Sequence, residues 1–273
     1  MYNQTVEDRM IIYSGLPRSG TNLLKNILSQ NNNIKISHES VLYNVVDSVL
    51  RSVQRYEGYY NYNENLDELE FSLKNFIQGG INQIDKKFEK LHINHNKQWS
   101  MYLSKMMDLD YKVIFSVRNI KDILSSFEEQ RKTHLTSSPP KNLNCKNPLI
   151  GQLEQHELPI FFQNSISFLN EISFDLDKYK DKLLIVRYED LITHPNKILN
   201  KIYSFLNINS FDHDFNNIKI RADHDMHVSE RLGISHDVRP VLDKFVKKYS
   251  LPSDVDEYFT TKYHLILKLL GYI

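Results

Sequence analysis

The sequence contains a single cysteine, Cys145, among 273 residues. One thiol cannot form an internal disulfide or a cysteine-rich metal site, which excludes a small secreted scaffold held by disulfides and favours a reducing compartment. No apolar run approaches the ~20 residues that a membrane-spanning helix needs. The first residues, MYNQTVEDRMIIYSG, are not arranged as a signal peptide. We therefore expect a cytoplasmic protein without a membrane span.

An excess of charge of either sign is also missing. The 34 Lys and Arg residues balance 34 Asp and Glu residues, which gives a formal net charge of zero. Proteins that coat nucleic acid, and polybasic proteins that bind membranes, carry a strong positive excess, so we expect no nucleic-acid partner. Hydrophobic residues make up 41% of the sequence, and a chain of this length can bury a sizeable core.

Short β-like runs alternate with longer amphipathic stretches, a pattern typical of α/β proteins with a mainly parallel sheet flanked by helices. Buried strands are predicted at residues 10–13, 113–117 and 183–186, with a shorter candidate at 34–36. Each of the three longer runs is followed by a polar turn and a helical pattern. Further helices are predicted at residues 40–54, 66–88, 154–177, 240–249 and 254–270.

No internal repeat and no linker divides the chain. We therefore predict a single domain over residues 1–273, with a core at about 10–207. The segment 208–273, which is helical or loop-like, is expected to complete the functional site. The oligomeric state has no signal in the sequence.

A glycine-containing turn, SGLPRSGTN, follows the first predicted strand and precedes an amphipathic helix. Gly15 and Gly20 have the separation of the phosphate-binding pattern G-x-x-x-x-G. At this position, backbone N–H groups at a helix N-terminus can bind a phosphate or a similar anion. Arg18 adds a fixed positive charge, and Ser19 and Thr21 add hydroxyl donors. The turn therefore predicts an anion site, although a tight strand–helix turn alone would also use glycine.

The turn lacks the lysine of nucleotide triphosphatases, because Gly20 is followed by Thr21 and Asn22 rather than by Lys-Ser/Thr. Such enzymes also hold Mg²⁺ with an aspartate at the end of another strand. Here the predicted strand 113–117 is followed by Arg118. The sequence therefore favours a multiply anionic donor held by basic residues without a metal. A nucleotide kinase or NTPase with a degenerate loop, and a non-catalytic nucleotide-binding module, remain as alternatives.

These residues resemble the motifs of sulfotransferases that use 3′-phosphoadenosine-5′-phosphosulfate (PAPS). Arg118, at a strand end, and Ser126, on the next helix, are similar to the pair that grips the 3′-phosphate in that family. Arg187-Tyr188-Glu189-Asp190-Leu191 resembles a Tyr-Glu-Asp-Leu segment whose tyrosine, here Tyr188, lies near the cofactor. The 5′-phosphosulfate loop, in the form seen in tyrosylprotein and many bacterial members, corresponds to Pro17, Arg18, Ser19, Gly20, Thr21 and Asn22.

The resemblance also implies catalytic residues. Lys97, in the motif Asn-Lys-Gln-Trp, corresponds to a lysine that contacts the transferring sulfonate in the tyrosylprotein branch. Glu39, just after the short predicted strand, corresponds to the general base of that branch, and Arg18 would hold the leaving 5′-phosphate. The C-terminal basic segment over the 3′-phosphate corresponds to Arg231-Leu232-Gly233. Structural roles stay open for Glu39 as an acid in a first helical turn and for Lys97 as a surface lysine.

The resemblance implies a P-loop-like sulfotransferase core and in-line transfer of sulfonate from PAPS to a hydroxyl of a sugar, phenol, tyrosine or other alcohol. Adenosine 3′,5′-bisphosphate is the expected product, and no metal is expected. The residue spacing adds an independent argument. Arg18, Glu39, Arg118 and Tyr188 all follow predicted strands, and the carboxyl ends of parallel strands gather at one edge of a sheet, where ligands bind.

Overall fold

A computed structural model of the protein describes residues 10–37, 41–59, 72, 75–77, 79–80, 90–133, 149–150, 160–219, 242 and 250–273. Five strands form one sheet with the order β2-β3-β1-β4-β5, and all four pairings are parallel. This confirms the predicted α/β class. The strands are β1 (Met10–Gly15), β2 (Ile34–Ser37), β3 (Leu91–His95), β4 (Lys112–Val117) and β5 (Leu183–Arg187).

Helices connect these strands. Short 3₁₀ segments cover Lys97–Met101 and Leu176–Tyr179. The described α-helices are α1 (Thr21–Leu28), α2 (Val41–Tyr59), α3 (Leu103–Asp108), α4 (Ile120–Thr133), α5 (Ile160–Ser173), α6 (Tyr188–Thr193), α7 (Pro195–Leu206), α8 (Ser253–Lys262) and α9 (His264–Leu269).

Several predicted helix boundaries differ from those observed. The helix predicted at 254–270 is two helices, α8 and α9, which meet at Tyr263. The described part of the helix predicted at 154–177 ends at Ser173, before the 3₁₀ segment. Most residues of the helices predicted at 66–88 and 240–249 lie outside the described residues.

Strand β3, which lies between β2 and β1, was missed by the sequence prediction. Its sequence, LHINH, carries polar residues where a buried strand usually has apolar ones, yet His92, Asn94 and His95 are nearly fully buried. A buried polar group must be hydrogen-bonded to avoid a large desolvation cost. The Asn94 side-chain oxygen accepts a hydrogen bond of 2.9 Å from Trp99 Nε1. This hydrogen bond accounts for the burial of the Asn94 side chain.

Apolar cores cover both faces of the sheet, because alternate residues of a strand point to opposite sides. Ile12 of β1 packs in the core that includes residues of α4, α5, α8 and α9. Ile11 and Tyr13 pack in the other core, with the buried faces of α1 and α7. Full burial of a large apolar side chain contributes about 1.5–3 kcal/mol to stability. The strand and helix on either side of the β1–α1 turn are therefore both anchored in apolar packing.

The turn after β1 is also fixed against β4. The Leu16 N–H donates to the Ser116 carbonyl oxygen at 2.9 Å, which extends the strand pairing one residue beyond β1. A Cβ atom at Gly15 would lie 2.6 Å from that same oxygen. Glycine is therefore required at this position by the close approach of the two strands.

None of the helices in the described part of the chain combines the length and the apolar character that crossing a bilayer requires.

Candidate active site

The turn between β1 and α1 has an unusual backbone. Arg18 and Gly20 both lie in the left-handed region, with φ values of 61° and 78°. For a residue with a side chain this region is uncommon. At Gly20 a Cβ atom would also lie 2.5 Å from the Tyr188 ring. Gly20 is therefore required both by its backbone conformation and by the Tyr188 ring that packs on it.

The N-terminus of α1 suits an anion. The first N–H groups of a helix have no partner within it, and the helix dipole places partial positive charge there. No side chain caps this end at Gly20, and no acidic residue stands in the first turn of α1. Thr21 is buried and Asn22 is partly exposed at this end. The chemistry of the turn fits a bound phosphate or sulfonate group.

Two arginines from different segments meet beside this turn. Arg118 follows β4 directly and is 6% exposed. Its Nη1 atom donates to the carbonyl oxygen of Arg18 at 3.0 Å. Arg18 Nε in turn donates to Ser126 Oγ on α4 at 3.1 Å. The guanidinium carbon of Arg118 also lies 4.7 Å from the centre of the Tyr188 ring. The structure thus brings Arg18, Arg118, Ser126 and Tyr188 together at the carboxyl edge of the sheet.

The arrangement of Arg18 differs in one respect from the roles implied by the resemblance. That resemblance assigns Arg18 to the 5′-phosphosulfate and Ser126 to the 3′-phosphate, but here the two side chains are directly hydrogen-bonded. Ser19 also makes an internal contact, because its Oγ donates to the Leu16 carbonyl oxygen at 2.6 Å. In this conformation the hydroxyl proton of Ser19 stabilises the turn, while Pro17 is buried beside it.

Tyr13 supports the turn from within the protein. Its hydroxyl lies 2.8 Å from Ser116 Oγ and donates to the Thr21 carbonyl oxygen at 3.3 Å. Complete burial raises the pKa of Tyr13 well above its usual value. The phenol therefore stays neutral and links β1, β4 and the start of α1.

Lys97 lies at the same edge of the sheet, after β3. The Asn96 N–H donates to the Tyr13 carbonyl oxygen at 3.2 Å, and Ser14 Oγ donates to the Lys97 carbonyl oxygen at 3.1 Å. The Asn96 side chain caps the following 3₁₀ turn by accepting from the Gln98 N–H. These contacts fix the backbone of Lys97 next to the end of β1. Its partly exposed side chain places Nζ 5.7 Å from the centre of the Phe161 ring.

Two predicted parts of the site lie outside the described residues. These are Glu39 and the basic segment 231–233. The roles predicted for them stay predictions.

Sequence reasoning missed a functional candidate in Glu189. One of its carboxylate oxygens accepts a hydrogen bond from the Asn119 N–H at 3.0 Å, directly after Arg118. The other accepts from the Tyr272 hydroxyl at 2.7 Å. Its position in the Tyr-Glu-Asp-Leu segment was the only signal, since a partner 83 residues away leaves no local pattern.

Metal ligands are not grouped in this region. Within the described ranges, no cluster of three or more His, Cys, Asp or Glu side chains is arranged to hold a metal ion.

Comparison with known proteins gives the family. A sequence profile described as "Sulfotransferase domain" matches residues 8–224. The chain belongs to the sulfotransferase domain family. This confirms the family, and sulfonate transfer as its reaction class, that the PAPS-type motifs indicated. No curated protein matches the sequence significantly.

Solved sulfotransferase structures share the fold. The sulfotransferase domain from the curacin biosynthetic pathway is 17% identical, with a TM-score of 0.53 and 97% of each chain covered. A sulfotransferase from Alicyclobacillus acidocaldarius is 14% identical, with a TM-score of 0.52 and coverage of 97% of this chain and 96% of that one. A mouse sulfotransferase complexed with PAP is 17% identical, with a TM-score of 0.51 and coverage of 98% and 90%. At these identities the similarity establishes the fold.

Proposed function

We propose that this sulfotransferase moves the sulfonate group of PAPS to a hydroxyl acceptor and releases adenosine 3′,5′-bisphosphate. The observation that carries the proposal is the group formed by Arg18, Arg118 and Ser126 beside the N-terminus of α1. It offers two guanidinium groups and a hydroxyl to a ligand with more than one anionic group. The PAP complex of the similarly folded mouse enzyme supports the same nucleotide class.

The proposed donor site divides into two parts. The N–H groups at the start of α1, together with Arg18, would bind the 5′-phosphosulfate. Arg118 and Ser126 would bind the 3′-phosphate, since a guanidinium group can donate two parallel hydrogen bonds to a phosphate. Because Arg18 contacts Ser126 directly, the two parts adjoin each other. Tyr188, which contacts both Gly20 and Arg118, would lie beside the nucleotide.

The proposed chemistry requires mainly positioning and stabilisation of developing negative charge, as in phosphoryl transfer. When bound, PAPS supplies the sulfonate group and its leaving 5′-phosphate. Arg18 would stabilise charge on the side of the leaving group, and Lys97 would stabilise charge on the sulfonate oxygens. Glu39 would accept the proton of the acceptor hydroxyl. Lys97 is suited to its role because its backbone is tied to the end of β1.

The proposal extends to the acceptor, the domain organisation and the cellular location of the enzyme. The acceptor class is a sugar, phenol, tyrosine or other alcohol. Phe161 lies beside Lys97 and is proposed to form part of the acceptor pocket. We also propose that the enzyme is a single domain that acts in the cytoplasm, consistent with its one cysteine.

Transfer is expected to be independent of divalent metal ions. The charge of the donor is met by Arg18, Arg118 and Lys97, so saturating EDTA should leave the rate of sulfonate transfer from labelled PAPS unchanged. A magnesium-dependent kinase assayed in the same buffer is the control for chelation. A loss of sulfonate transfer in EDTA that added Mg²⁺ restores would contradict metal independence.

A further inference from the structure

Glu189 joins two distant segments through its two carboxylate oxygens. Oε1 accepts a hydrogen bond from the Asn119 N–H, and Oε2 accepts one from the Tyr272 hydroxyl. The adjacent carboxyl, Asp190, makes a looser contact, with an oxygen 3.9 Å from Arg187 Nε. Of these neighbouring acids, Glu189 is thus the one that joins the β4–α4 turn to Tyr272.

Asn119 is the residue through which Glu189 can influence the donor site. Its side-chain oxygen accepts from the Lys121 N–H at 3.0 Å, and its carbonyl oxygen accepts from the Asp122 and Ile123 N–H groups. These contacts start α4, the helix that carries Ser126. Arg118 is the residue immediately before Asn119. A shift of the Asn119 backbone would therefore move Arg118 and the start of the Ser126 helix together.

Tyr272 holds the opposite side of Glu189. The Arg187 guanidinium carbon lies 4.4 Å from the centre of the Tyr272 ring. Gly271, with φ of 69°, turns the chain next to it. Burial, and then the neighbouring Glu189 carboxylate, raise the pKa of Tyr272 far above its usual value. The hydroxyl therefore remains a protonated donor to Glu189 at neutral pH.

We propose that Glu189 is a positioning residue for the 3′-phosphate site, with Tyr272 as its anchor. The inference rests on the proposed function, which assigns the 3′-phosphate to Arg118 and Ser126. A carboxylate repels a phosphate, so Glu189 does not serve as a ligand for the donor. It acts through the Asn119 N–H, which it holds in the position that presents Arg118 and Ser126 to the same anion.

Substitutions can separate the effect of the two Glu189 hydrogen bonds from the effect of its negative charge. In Glu189→Gln the amide oxygen can still accept from Asn119, and the amide NH₂ can donate to the phenol oxygen of Tyr272. Both links are kept while the negative charge is lost. Glu189→Ala removes both links. Tyr272→Phe removes only the hydroxyl that holds Glu189, without changing the ring that packs against Arg187.

The test is the affinity of the purified protein for two nucleotides, measured by isothermal titration calorimetry. Adenosine 3′,5′-bisphosphate contains the 3′-phosphate, and adenosine 5′-monophosphate lacks it. For Glu189→Ala we expect the ratio of the two affinities to fall by about tenfold or more, through weaker binding of the bisphosphate alone. Glu189→Gln should keep the wild-type ratio, and Tyr272→Phe should lower it. Asp190→Ala, the matched control at the adjacent carboxyl, should leave it unchanged.

A purely structural role would weaken the binding of both nucleotides equally, whatever the melting temperature of Glu189→Ala, and this unchanged ratio would overturn the inference. A ratio that falls as far in Glu189→Gln as in Glu189→Ala would also overturn it, because charge rather than hydrogen bonding would then be responsible. If Glu189→Ala does not fold, Tyr272→Phe provides the test: a lower affinity ratio supports the inference, and an unchanged ratio overturns it. Equal affinities of the wild type for the two nucleotides would instead contradict the proposed function itself.

Discussion

Glu39→Gln is expected to lower the rate of sulfonate transfer by about 10²–10⁴-fold, the usual effect of removing a general base. Glutamine keeps the shape of the side chain but cannot accept the proton of the acceptor hydroxyl at neutral pH. The affinity for adenosine 3′,5′-bisphosphate should stay unchanged, since Glu39 is proposed to face the acceptor. Turnover of labelled PAPS and calorimetric nucleotide affinity, measured on the same preparation, check both parts.

Arg18→Ala is the comparison variant for Glu39→Gln. It removes a cation from the donor site and the contact with Ser126, so affinity and turnover should both fall. If Glu39 is only an acid before α2, its neutralisation should cost about 0.3–1 kcal/mol of stability and leave activity largely intact. Near-normal turnover by folded Glu39→Gln would therefore move the base elsewhere, and His38 would be the next residue to test.

Arg118→Ala is expected to abolish the preference of the protein for adenosine 3′,5′-bisphosphate over adenosine 5′-monophosphate. In the wild type the bisphosphate should raise the melting temperature more, because at equal concentration the ligand with the higher affinity stabilises the folded state more. A hydrogen bond to a charged group contributes about 1.5–3 kcal/mol, which corresponds to roughly 10–150-fold in affinity. Thermal shift measurements over a range of nucleotide concentrations give the preference directly.

Two variants control for changes in charge. Arg51→Ala removes an arginine of α2 that is half exposed and paired with Asp47, so the nucleotide preference should be retained. Arg118→Lys keeps the positive charge but loses the planar pair of donors, so an intermediate preference is expected. Equal shifts by the two nucleotides in the wild type would refute the 3′-phosphate assignment.

The strands that could be predicted from the sequence are those that consist of consecutive apolar residues. Ile11 and Ile12 in β1, and Val113 to Phe115 in β4, are fully or almost fully buried, and their runs were recognised. β3 was missed because His92 and Asn94 are polar, and the hydrogen bond that allows Asn94 to be buried comes from Trp99 after a turn. The pattern of apolar residues along a sequence does not reveal a hydrogen-bond partner of this kind.

At the candidate active site, too, relations between residues close in sequence could be predicted, whereas contacts between distant segments could not. Arg118 and Ser126 are eight residues apart on one strand–helix unit, so a linear motif suffices to relate them. The contact of Arg18 with Ser126 spans 108 residues, and that of Glu189 with Tyr272 spans 83. These contacts depend on how β1, β4 and the last helices are packed together. The motifs therefore point to Arg18, Arg118 and Ser126 as candidates, whereas the hydrogen bonds that join them became visible only in the fold.

Direct detection of sulfonate transfer is the measurement closest to the central claim. The purified protein would be incubated with PAPS carrying an isotopic label in its sulfonate group and with a panel of sugars, phenols, tyrosine peptides and aliphatic alcohols. Mass spectrometry should find the label on a hydroxyl of one acceptor class, with an equal amount of adenosine 3′,5′-bisphosphate formed and no added metal. If the label stays on the donor with every acceptor, while the same preparation transfers phosphate from ATP in the presence of Mg²⁺, the assignment is wrong.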